Sequence, residues 1–407
     1  MSIHYITHVQ PVHPLQNTVT RFFIREYNPD GISKTHVLEK EVPLFYYTKP
    51  YNEDELNRLH QTLTIDPSYG HLQFTKHQKL GGSSFLRAQG SKEHKENLPK
   101  IFQKRHTQNR SPRSPSEQLR WLYPAGLIVP SPYEVPEPQE VMSREYIPLE
   151  AIINDNYAVL DIEIEGWEQG KDQIFMIVYV TPQSRILYHN LPCKEDKLNG
   201  FDLIQYATQR ELGHLLTLTV RADDPLWIFG HNVMNFDNIK IRNLTQSYLP
   251  TPDKHYPITK SAQGLGKVIT RGRFTLDTYA YYFFHRNFHA DNKLETIGEF
   301  EKDIDYVEQA QLLNVAKRGD YNAFEKLAIY CMEDGLRTEK IARKLRPIAA
   351  LKTHHYTREP DSICATSKTA LIRDWWQRHY YNKNGLPPPI PKHDPHKPTI
   401  SAPIVVN

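Results

Sequence analysis

The sequence is poor in cysteine, with three residues in a chain of 407. Cys193, Cys331 and Cys364 lie far apart, and no two of them form a CxxC pair. This spacing argues against a disulfide scaffold and against a zinc ribbon, because both need closely spaced cysteines. We therefore expect a protein of a reducing, intracellular compartment.

Long apolar segments and an excess of charge of one sign are also missing. No apolar run approaches the roughly 20 residues of a membrane-spanning helix, and Met1–His13 lacks the pattern of a signal peptide. Lys and Arg number 50 against 47 Asp and Glu, which gives a formal net charge of +3. We expect a soluble protein without a membrane partner, on which any nucleic-acid surface is a local patch.

The N-terminal third carries short β-type runs separated by Pro, Asn, Asp and Gly. Thr18–Tyr27 and Val42–Tyr47 have the composition of strands, and Asn52–Leu63 has the leucine spacing of a short helix. A chain of this length can form two or three domains with their own cores. We predict a small mixed α/β or β-rich domain over residues 1–150.

A basic segment follows the predicted helix of this first domain. Lys76–Arg113 contains ten Lys and Arg against two acids, with interspersed phenylalanines. Two interpretations are open for it: contact with a nucleic-acid backbone, or a solvated surface loop. Pro124–Pro138 is proline-rich and is predicted to run extended along the surface.

The middle of the chain predicts an α/β fold with a mixed sheet. The apolar run that begins at Tyr157 is followed by strand patterns that favour an antiparallel meander, and helices then alternate with strands. The further predicted strands are Gln173–Pro182, Arg185–Leu191, Pro225–Gly230 and Gly272–Tyr282. The predicted helices are Phe201–Val220, a helix that begins near Asp237, and Asn322–Leu345.

Two carboxylates end the first strand of the predicted meander. Asp161 and Glu163 are two residues apart, so in a strand they project from the same face. Buried carboxylates need a compensating partner, and a divalent cation is one. The alternative at this point is an ordinary strand end with solvated acids.

Further acids along the chain extend this pattern. Asp237 follows a buried strand, and Tyr330 precedes Asp334 by four residues, so both lie on one helix face. Carboxylates from a strand and two helices can converge on two divalent metals about 3.5–4 Å apart. That arrangement suits phosphodiester hydrolysis, with the tyrosine hydroxyl orienting the water.

These motifs resemble the three exonuclease motifs of family B DNA polymerases. They read D-I-E at 161–163, H-N-x-x-x-F-D at 231–237 and Y-x-x-x-D at 330–334. Supporting similarity lies in G-R-F-T-L-D at 272–277 and K-L-E-T-I-G at 293–298. The resemblance implies an RNase H-like 3′→5′ exonuclease domain over residues 151–350, with a mixed five-stranded sheet and flanking helices.

The resemblance also implies roles for individual residues. Asp161 would bridge two Mg²⁺ or Mn²⁺ ions, Glu163 would bind one of them and hold the water, and Asp237 would serve the leaving-group metal. Asp334 would bind the metal on the nucleophile side, with Tyr330 positioning the water. The implied substrate contacts are Asn232, Phe236 and Ile164, of which the first two would hold the terminal nucleotides.

Some positions depart from the family pattern or carry no ligand role in it. The related branch with histidine as base has it five residues before the last aspartate, where this chain has Ile329, so the tyrosine branch is favoured. His231 stands where tyrosine is commoner, and Ile164 where a small polar residue is common. Asp277 has no ligand role in the family, and we expect a structural one.

Residues 351–407 are expected to form a helix and a proline-rich tail, in which Ser362–Pro391 resembles the helix and turn that lead from the exonuclease domain into the polymerase palm. Neither a D-x-x-S-L-Y-P-like strand nor a D-T-D-like turn follows, so polymerisation is not expected from this chain alone. The first hypothesis is the exonuclease-bearing part of a split family B polymerase. It would act on single-stranded or primer-terminus DNA with a second polypeptide that carries palm, fingers and thumb.

Two alternatives stay open at this point. One is a free-standing 3′→5′ exonuclease of repair or nucleic-acid turnover, and the other is a non-catalytic DNA-binding scaffold. For a prokaryotic or viral source, each would place the chain in the cytoplasm, at the nucleoid or a replication site.

Overall fold

The computed structural model describes the chain in segments. They are residues 3–11, 19–30, 33–41, 44–47, 53–69, 73–78, 84–90, 149–166, 173–245, 258–260, 266–268, 272–285, 291–300, 304–356, 360–364, 366–369 and 371–372. The basic segment from position 91 onward, the proline-rich segment and the predicted palm-leading turn lie outside them. Among the helices of these segments, none combines the length and apolarity that crossing a membrane requires.

The described segments contain the following regular elements. The strands are β1 (Ile3–Pro11), β2 (Val19–Tyr27), β3 (Lys34–Glu41), β4 (Leu44–Tyr47), β5 (Gln73–Gln78), β6 (Ser84–Gly90), β7 (Tyr157–Glu165), β8 (Gln173–Val180), β9 (Arg185–His189), β10 (Lys197–Leu198), β11 (Phe201–Gln205), β12 (Trp227–Gly230), β13 (Ile258–Lys260), β14 (Gly266–Val268) and β15 (Phe274–Asp277). The helices are α1 (Glu53–Ile65), α2 (Leu149–Asn154), α3 (Gln209–Asp223), α4 (Asp237–Thr245), α5 (Thr278–His285), α6 (Leu294–Gly298), α7 (Tyr306–Ala316), α8 (Tyr321–Tyr356) and α9 (Pro360–Cys364).

The N-terminal region forms two small antiparallel sheets. Their strand orders are β1-β2-β3 and β4-β6-β5. Helix α1 buries Leu56 and Leu63 and packs on β5 and β6, as the leucine spacing predicts for an amphipathic helix. The predicted strands and helix of this region are confirmed.

The central sheet has seven strands in the order β10-β11-β9-β8-β7-β12-β15. The pairs β7–β8 and β8–β9 are antiparallel, which confirms the predicted meander. Strand β12 runs parallel to β7 and to β15, and β11 runs parallel to β9. The predicted mixed sheet is therefore correct, but the predicted number of five strands is too small, because β11 and β10 extend the β9 edge.

Two predicted elements are wrong in part. Phe201–Val220 is not one helix, because Phe201–Gln205 alternates between buried and exposed residues and pairs with β9 as strand β11. Helix α3 begins only after Thr208, whose side chain caps it. Gly272–Tyr282 is not one strand, because β15 ends at Asp277, whose carboxylate accepts the Ala280 N–H and starts helix α5.

Helices cover both faces of the central sheet. One face packs against α8 through residues such as Phe324, Leu327 and Cys331, and the other packs against α3 through Leu212 and Leu216. Strand β8 is buried from Ile174 to Val180, as expected for a strand between two helical layers.

Helix α8 approaches the sheet very closely at Gly335. A Cβ atom added to Gly335 would lie 2.7 Å from Cγ1 of Val178 on β8. Only glycine fits this contact without movement of the helix or the strand. Gly335 therefore sets how near the central part of α8 lies to the ends of β7 and β8.

A buried ionic cluster joins the N-terminal sheet to the central domain. Arg25 on β2 is fully buried and pairs with Asp155 at 2.6 Å and with Asp224 at 2.9 Å. Arg273 completes the cluster at 2.7 Å from Asp224. Because these charges lie away from water, each depends on its partners for compensation.

Candidate metal centre

The second half of strand β7, from its middle residue Asp161, presents Asp161 and Glu163 on the face that α8 covers. The pairing of β7 with β8 is regular as far as Glu163 and shifts between Glu163 and Ile164. Bulges of this kind change the direction of a strand and are frequent beside functional sites. The sequence-predicted first pair of carboxylates is thus placed at an irregular strand end, with both side chains half-buried.

Asp237 reaches the same strand end from the first residue of α4. Its side chain is 2% exposed, and its Oδ1 accepts the backbone N–H of Ile162 at 3.1 Å. Burial raises the pKa of Asp237 to about 8, although hydrogen bonds from its own N–H and from Ile162 oppose this shift. The contact with Ile162 fixes Asp237 to the backbone of β7 beside its two acids.

Helix α8 supplies Tyr330 and Asp334 one turn apart. A side-chain hydrogen bond joins them, and Arg337 lies 3.3 Å from Oδ1 of Asp334. Burial raises the pKa of Asp334, while the hydrogen bond from Tyr330 and the charge of Arg337 lower it. The predicted single face for Tyr330 and Asp334 is thus present.

The carboxylates lie close enough to destabilise one another's charge. The pKa of Asp161 is raised well above its usual range, first by burial and then by Asp237, Glu163 and Asp334. The pKa of Tyr330 is raised by burial and by three of the same carboxylates. The site has an excess of buried negative charge, which a divalent cation would compensate.

Asn232 and Asp277 fix the loop between β12 and α4. Asn232 has a left-handed backbone with φ of 63°, a conformation that asparagine tolerates better than most residues. Asp277 accepts the backbone N–H groups of Asn232 and Met234, each at 3.0 Å. Together with the bond from Ala280, these contacts give Asp277 a structural role, as expected.

The predicted substrate contacts do not all face the carboxylates. Phe236 and Ile164 are half-buried and pack against the apolar cluster under α3. That cluster lies on the sheet face opposite the one from which Asp161 and Glu163 project, since side chains alternate along β7. Asn232 lies in the loop between β12 and α4, five residues before Asp237.

His231 is half-buried at the end of β12. Its Nδ1 lies 2.9 Å from Oγ1 of Thr278, and burial lowers the pKa of its imidazole to about 4. This contact ties the end of β12 to the start of α5. The residue that departs from the family pattern is therefore built into the fold.

Two residues of the centre were missed by sequence reasoning. Cys331 on α8 is fully buried, and its Sγ and one oxygen each of Asp161 and Glu163 lie within 4.8 Å of one another. Gln309 on α7 donates a hydrogen bond from Nε2 to Oε2 of Glu163. Neither residue is part of a recognisable sequence motif. Their proximity to Asp161 and Glu163 follows only from the packing of α7 and α8 against β7.

Arg337 is the basic group beside the centre. Its guanidinium lies 2.7 Å from Oε2 of Glu333 and 4.1 Å from the centre of the Phe300 ring. Stacking on an aromatic face and pairing with acids hold a guanidinium in one orientation. Arg337 thus places a fixed positive charge next to Asp334.

Comparison with known proteins assigns no family. No protein-family model matches the chain, and no curated protein matches it significantly. Function must therefore be argued from the side chains of the centre and from the motif resemblance.

Proposed function

We propose that this chain is a metal-dependent 3′→5′ exonuclease with an RNase H-like catalytic domain that hydrolyses DNA ends. The observation that carries the proposal is the placement of Asp161, Glu163, Asp237 and Asp334 around one part of strand β7, where burial raises the pKa values of Asp161, Asp237 and Asp334 and the charges of the other three acids raise that of Asp161 further. Strongly perturbed acids from separate elements are typical of functional sites.

The topology supports the RNase H-like part of the proposal. Strands β9, β8 and β7 form an antiparallel meander, and β12 and β15 continue the sheet parallel to β7. Helices cover both faces, and the candidate ligands come from a central strand and from two helices that flank it. The three motifs occur along the chain in the order of the elements that carry them, which are β7, the start of α4, and α8.

The donor atoms fit hard divalent cations. Four carboxylates offer oxygen ligands of the kind that Mg²⁺ and Mn²⁺ prefer, and their buried charge calls for compensation. Asp161 and Glu163 would hold such ions together with Asp237 and Asp334. When bound, two such cations would lower the pKa of an attacking water and stabilise the leaving 3′-oxygen.

Tyr330 and Gln309 would position the reacting groups. Because the pKa of Tyr330 is raised above its ordinary value of 10.0, its hydroxyl keeps its proton at working pH and orients water as a hydrogen-bond partner, without acting as a base. Gln309 holds Oε2 of Glu163 and so fixes the carboxylate that the resemblance assigns to the water. Orientation of this kind reduces the barrier by removing unproductive geometries.

Degradation of single-stranded DNA by the purified chain tests the proposal. With a 5′-labelled oligonucleotide and Mg²⁺ or Mn²⁺, we expect shortening from the 3′ end, and a double change of Asp161→Ala and Glu163→Ala should abolish it. Asp202→Asn is the control, because Asp202 is an exposed acid of the same sheet that pairs with Lys197 at 3.1 Å and lies on β11, which β9 and β8 separate from β7. Tyr330→Phe should slow shortening while the fold is retained. Equal activity of the double variant and the wild type would refute the assigned site.

We further propose, from the motif resemblance, that this activity edits primer ends for a polymerase supplied by a second polypeptide. Capture of a palm-bearing chain, with polymerase activity only in the mixture, is the expected result. A fully active chain that binds no such partner would favour a free-standing exonuclease. DNA binding without hydrolysis in either metal would favour the scaffold alternative.

A further inference from the structure

The candidate centre contains a sulfur atom that the proposed hydrolysis does not use. We propose that Cys331, Asp161 and Glu163 form a binding site for a thiophilic divalent cation such as Zn²⁺ or Cd²⁺, and that occupation of this site inhibits the chain. The binding part stands on the arrangement of the three side chains alone. The inhibition part rests on the proposed exonuclease function.

The donor atoms come from two independent elements. Asp161 and Glu163 project from β7, and Cys331 projects from α8, with the three donor atoms within 4.8 Å of one another. Metal–sulfur bonds of about 2.3 Å and metal–oxygen bonds of about 2.0–2.2 Å allow two donors on one ion to be at most roughly 4.5 Å apart. To bind one ion, the half-buried carboxylates must turn towards the sulfur, and Glu163 must do so against its bond from Gln309.

The mixture of donors selects the kind of metal. Mg²⁺ demands oxygen ligands in near-octahedral geometry, whereas Zn²⁺ accepts two oxygens and a sulfur with a fourth position for water. Thiolate ligands favour soft and borderline metals. On binding, the S–H bond of Cys331 breaks, its proton goes to solvent, and a sulfur–metal bond forms without any change of oxidation state.

The other cysteines provide natural controls. Cys364 is fully buried, and its Sγ contacts the carbonyl of Thr275 at 3.9 Å. Cys193 is half-buried, with its Sγ 3.7 Å from the carbonyl of Glu195. In the part of the chain that the structure describes, neither joins two carboxylates in a metal-sized group.

Titration of the purified chain with Cd²⁺ tests the binding, with ultraviolet absorption of the cadmium–thiolate bond as the readout. The wild type should gain this absorption with one equivalent of Cd²⁺. Cys331→Ser should lose it and bind Cd²⁺ at least about tenfold more weakly, because even a partner outside the ligand shell contributes 10–100-fold. Cys364→Ser and Cys193→Ser should behave as the wild type. Persistence of the absorption in Cys331→Ser would overturn the proposal.

Two further measurements test metal binding and inhibition separately. Glu163→Gln keeps all three cysteines and should also weaken Cd²⁺ binding, so unchanged affinity in this variant would refute the site even if Cys331→Ser failed to fold. With Mg²⁺ present, Zn²⁺ should inhibit DNA shortening by the wild type, and the Zn²⁺ concentration for half-inhibition should be at least about tenfold higher for Cys331→Ser, with each protein compared with its own rate without Zn²⁺. Cd²⁺ binding without any nuclease activity would support the site while contradicting the proposed function.

Discussion

Gln309 and Glu163 join helix α7 to the end of strand β7 through the hydrogen bond from Nε2 to Oε2. The same helix is attached further along by Lys317, which pairs with Glu165. Because α7 is fixed at two points, the amide of Gln309 holds the carboxylate in one orientation. Under the proposed function, Gln309 is therefore expected to be a positioning residue.

Gln309→Ala is expected to slow DNA shortening by about tenfold and to raise the Mg²⁺ concentration needed for half-maximal rate, because outer partners of metal ligands contribute 10–100-fold. Initial rates across a Mg²⁺ series measure both effects. Gln311→Ala on the same helix, where the side chain is exposed, is the control. A rate and Mg²⁺ dependence equal to those of the wild type would show that the bond has no positioning role.

Gly335→Ala tests the close approach of α8 to β8. Alanine gains roughly 0.5–1 kcal/mol over glycine in a helix, but its Cβ would lie 2.7 Å from Cγ1 of the stiff Val178 side chain. Overpacking costs about 1–3 kcal/mol, so the clash should dominate and the free energy of unfolding should fall. Activity should fall too, because Asp334 is the preceding residue.

Val178→Ala supplies the control for this clash. Removing both methyl groups leaves room for the added Cβ, so the double variant should be more stable than the sum of the two single changes predicts. Denaturant unfolding of the four proteins gives the coupling energy. Strict additivity would mean that the two residues do not clash.

Part of this centre was predictable from sequence because it depends on local periodicity. Alternation along a strand puts Asp161 and Glu163 on one face, and the helical repeat does the same for Tyr330 and Asp334. Cys331 lies one residue after Tyr330, and its proximity to Asp161 depends on how α8 rests on the sheet. No repeat in the sequence encodes that distance.

One of the errors in the fold has a similar origin. Phe201–Gln205 has apolar residues that suit a helix or a strand, and pairing with β9 decides in favour of the strand. Here a partner elsewhere in the chain selects the outcome, and local sequence does not encode it. Asp277 is a different case, because its carboxylate caps the following helix through Ala280, three residues on. That signal is local, and the apolar residues on both sides of Asp277 concealed it.

Arg25→Met tests the ionic cluster between the N-terminal sheet and the central domain. The change leaves Asp155 and Asp224 without their buried guanidinium, and loss of one partner of a buried pair costs about 3–5 kcal/mol. Denaturant unfolding should show a loss of this size. An Arg25→Met, Asp155→Asn double variant should recover part of it, because no unpaired carboxylate then remains at position 155.

An exposed ion pair provides the control for the loss of stability expected from Arg25→Met. Lys197 and Asp202 are 3.1 Å apart, with side chains 77% and 56% exposed. Lys197→Ala should therefore change the free energy of unfolding by less than about 1 kcal/mol. Similar effects of the Lys197 and Arg25 changes would contradict the structural role assigned to the buried cluster.

The buried imidazole of His285 should make the free energy of unfolding depend on pH. Its Nε2 donates to the carbonyl of Ile363 at 2.8 Å, and its buried Nδ1 has no hydrogen-bond partner among the described residues. Burial lowers the pKa of the imidazole from 6.5 to about 4. Because the folded-state pKa is depressed, the stabilisation is complete above about pH 6.5 and is lost as pH falls towards 4.

His285→Gln removes this titration. Relative to the variant, the free energy of unfolding of the wild type should fall by up to about 1.4 kcal/mol for each pH unit between 6.5 and 4. Chemical unfolding of both proteins across this range measures the difference, in which other titrating groups cancel. Parallel stability curves would show that His285 does not resist protonation.

Hydrogen bonds to Asp277 fix the conformation of the loop at Asn232. The left-handed backbone at Asn232 and the N–H of Met234 are fixed by bonds within the protein, so this loop loses its conformational freedom when the chain folds. Under the proposed function, a nucleotide that docks against this loop would meet a surface already in its final shape. Little affinity would then be lost to ordering of the protein, so we expect discrimination between correct and incorrect ends to depend on the freedom of the DNA strand.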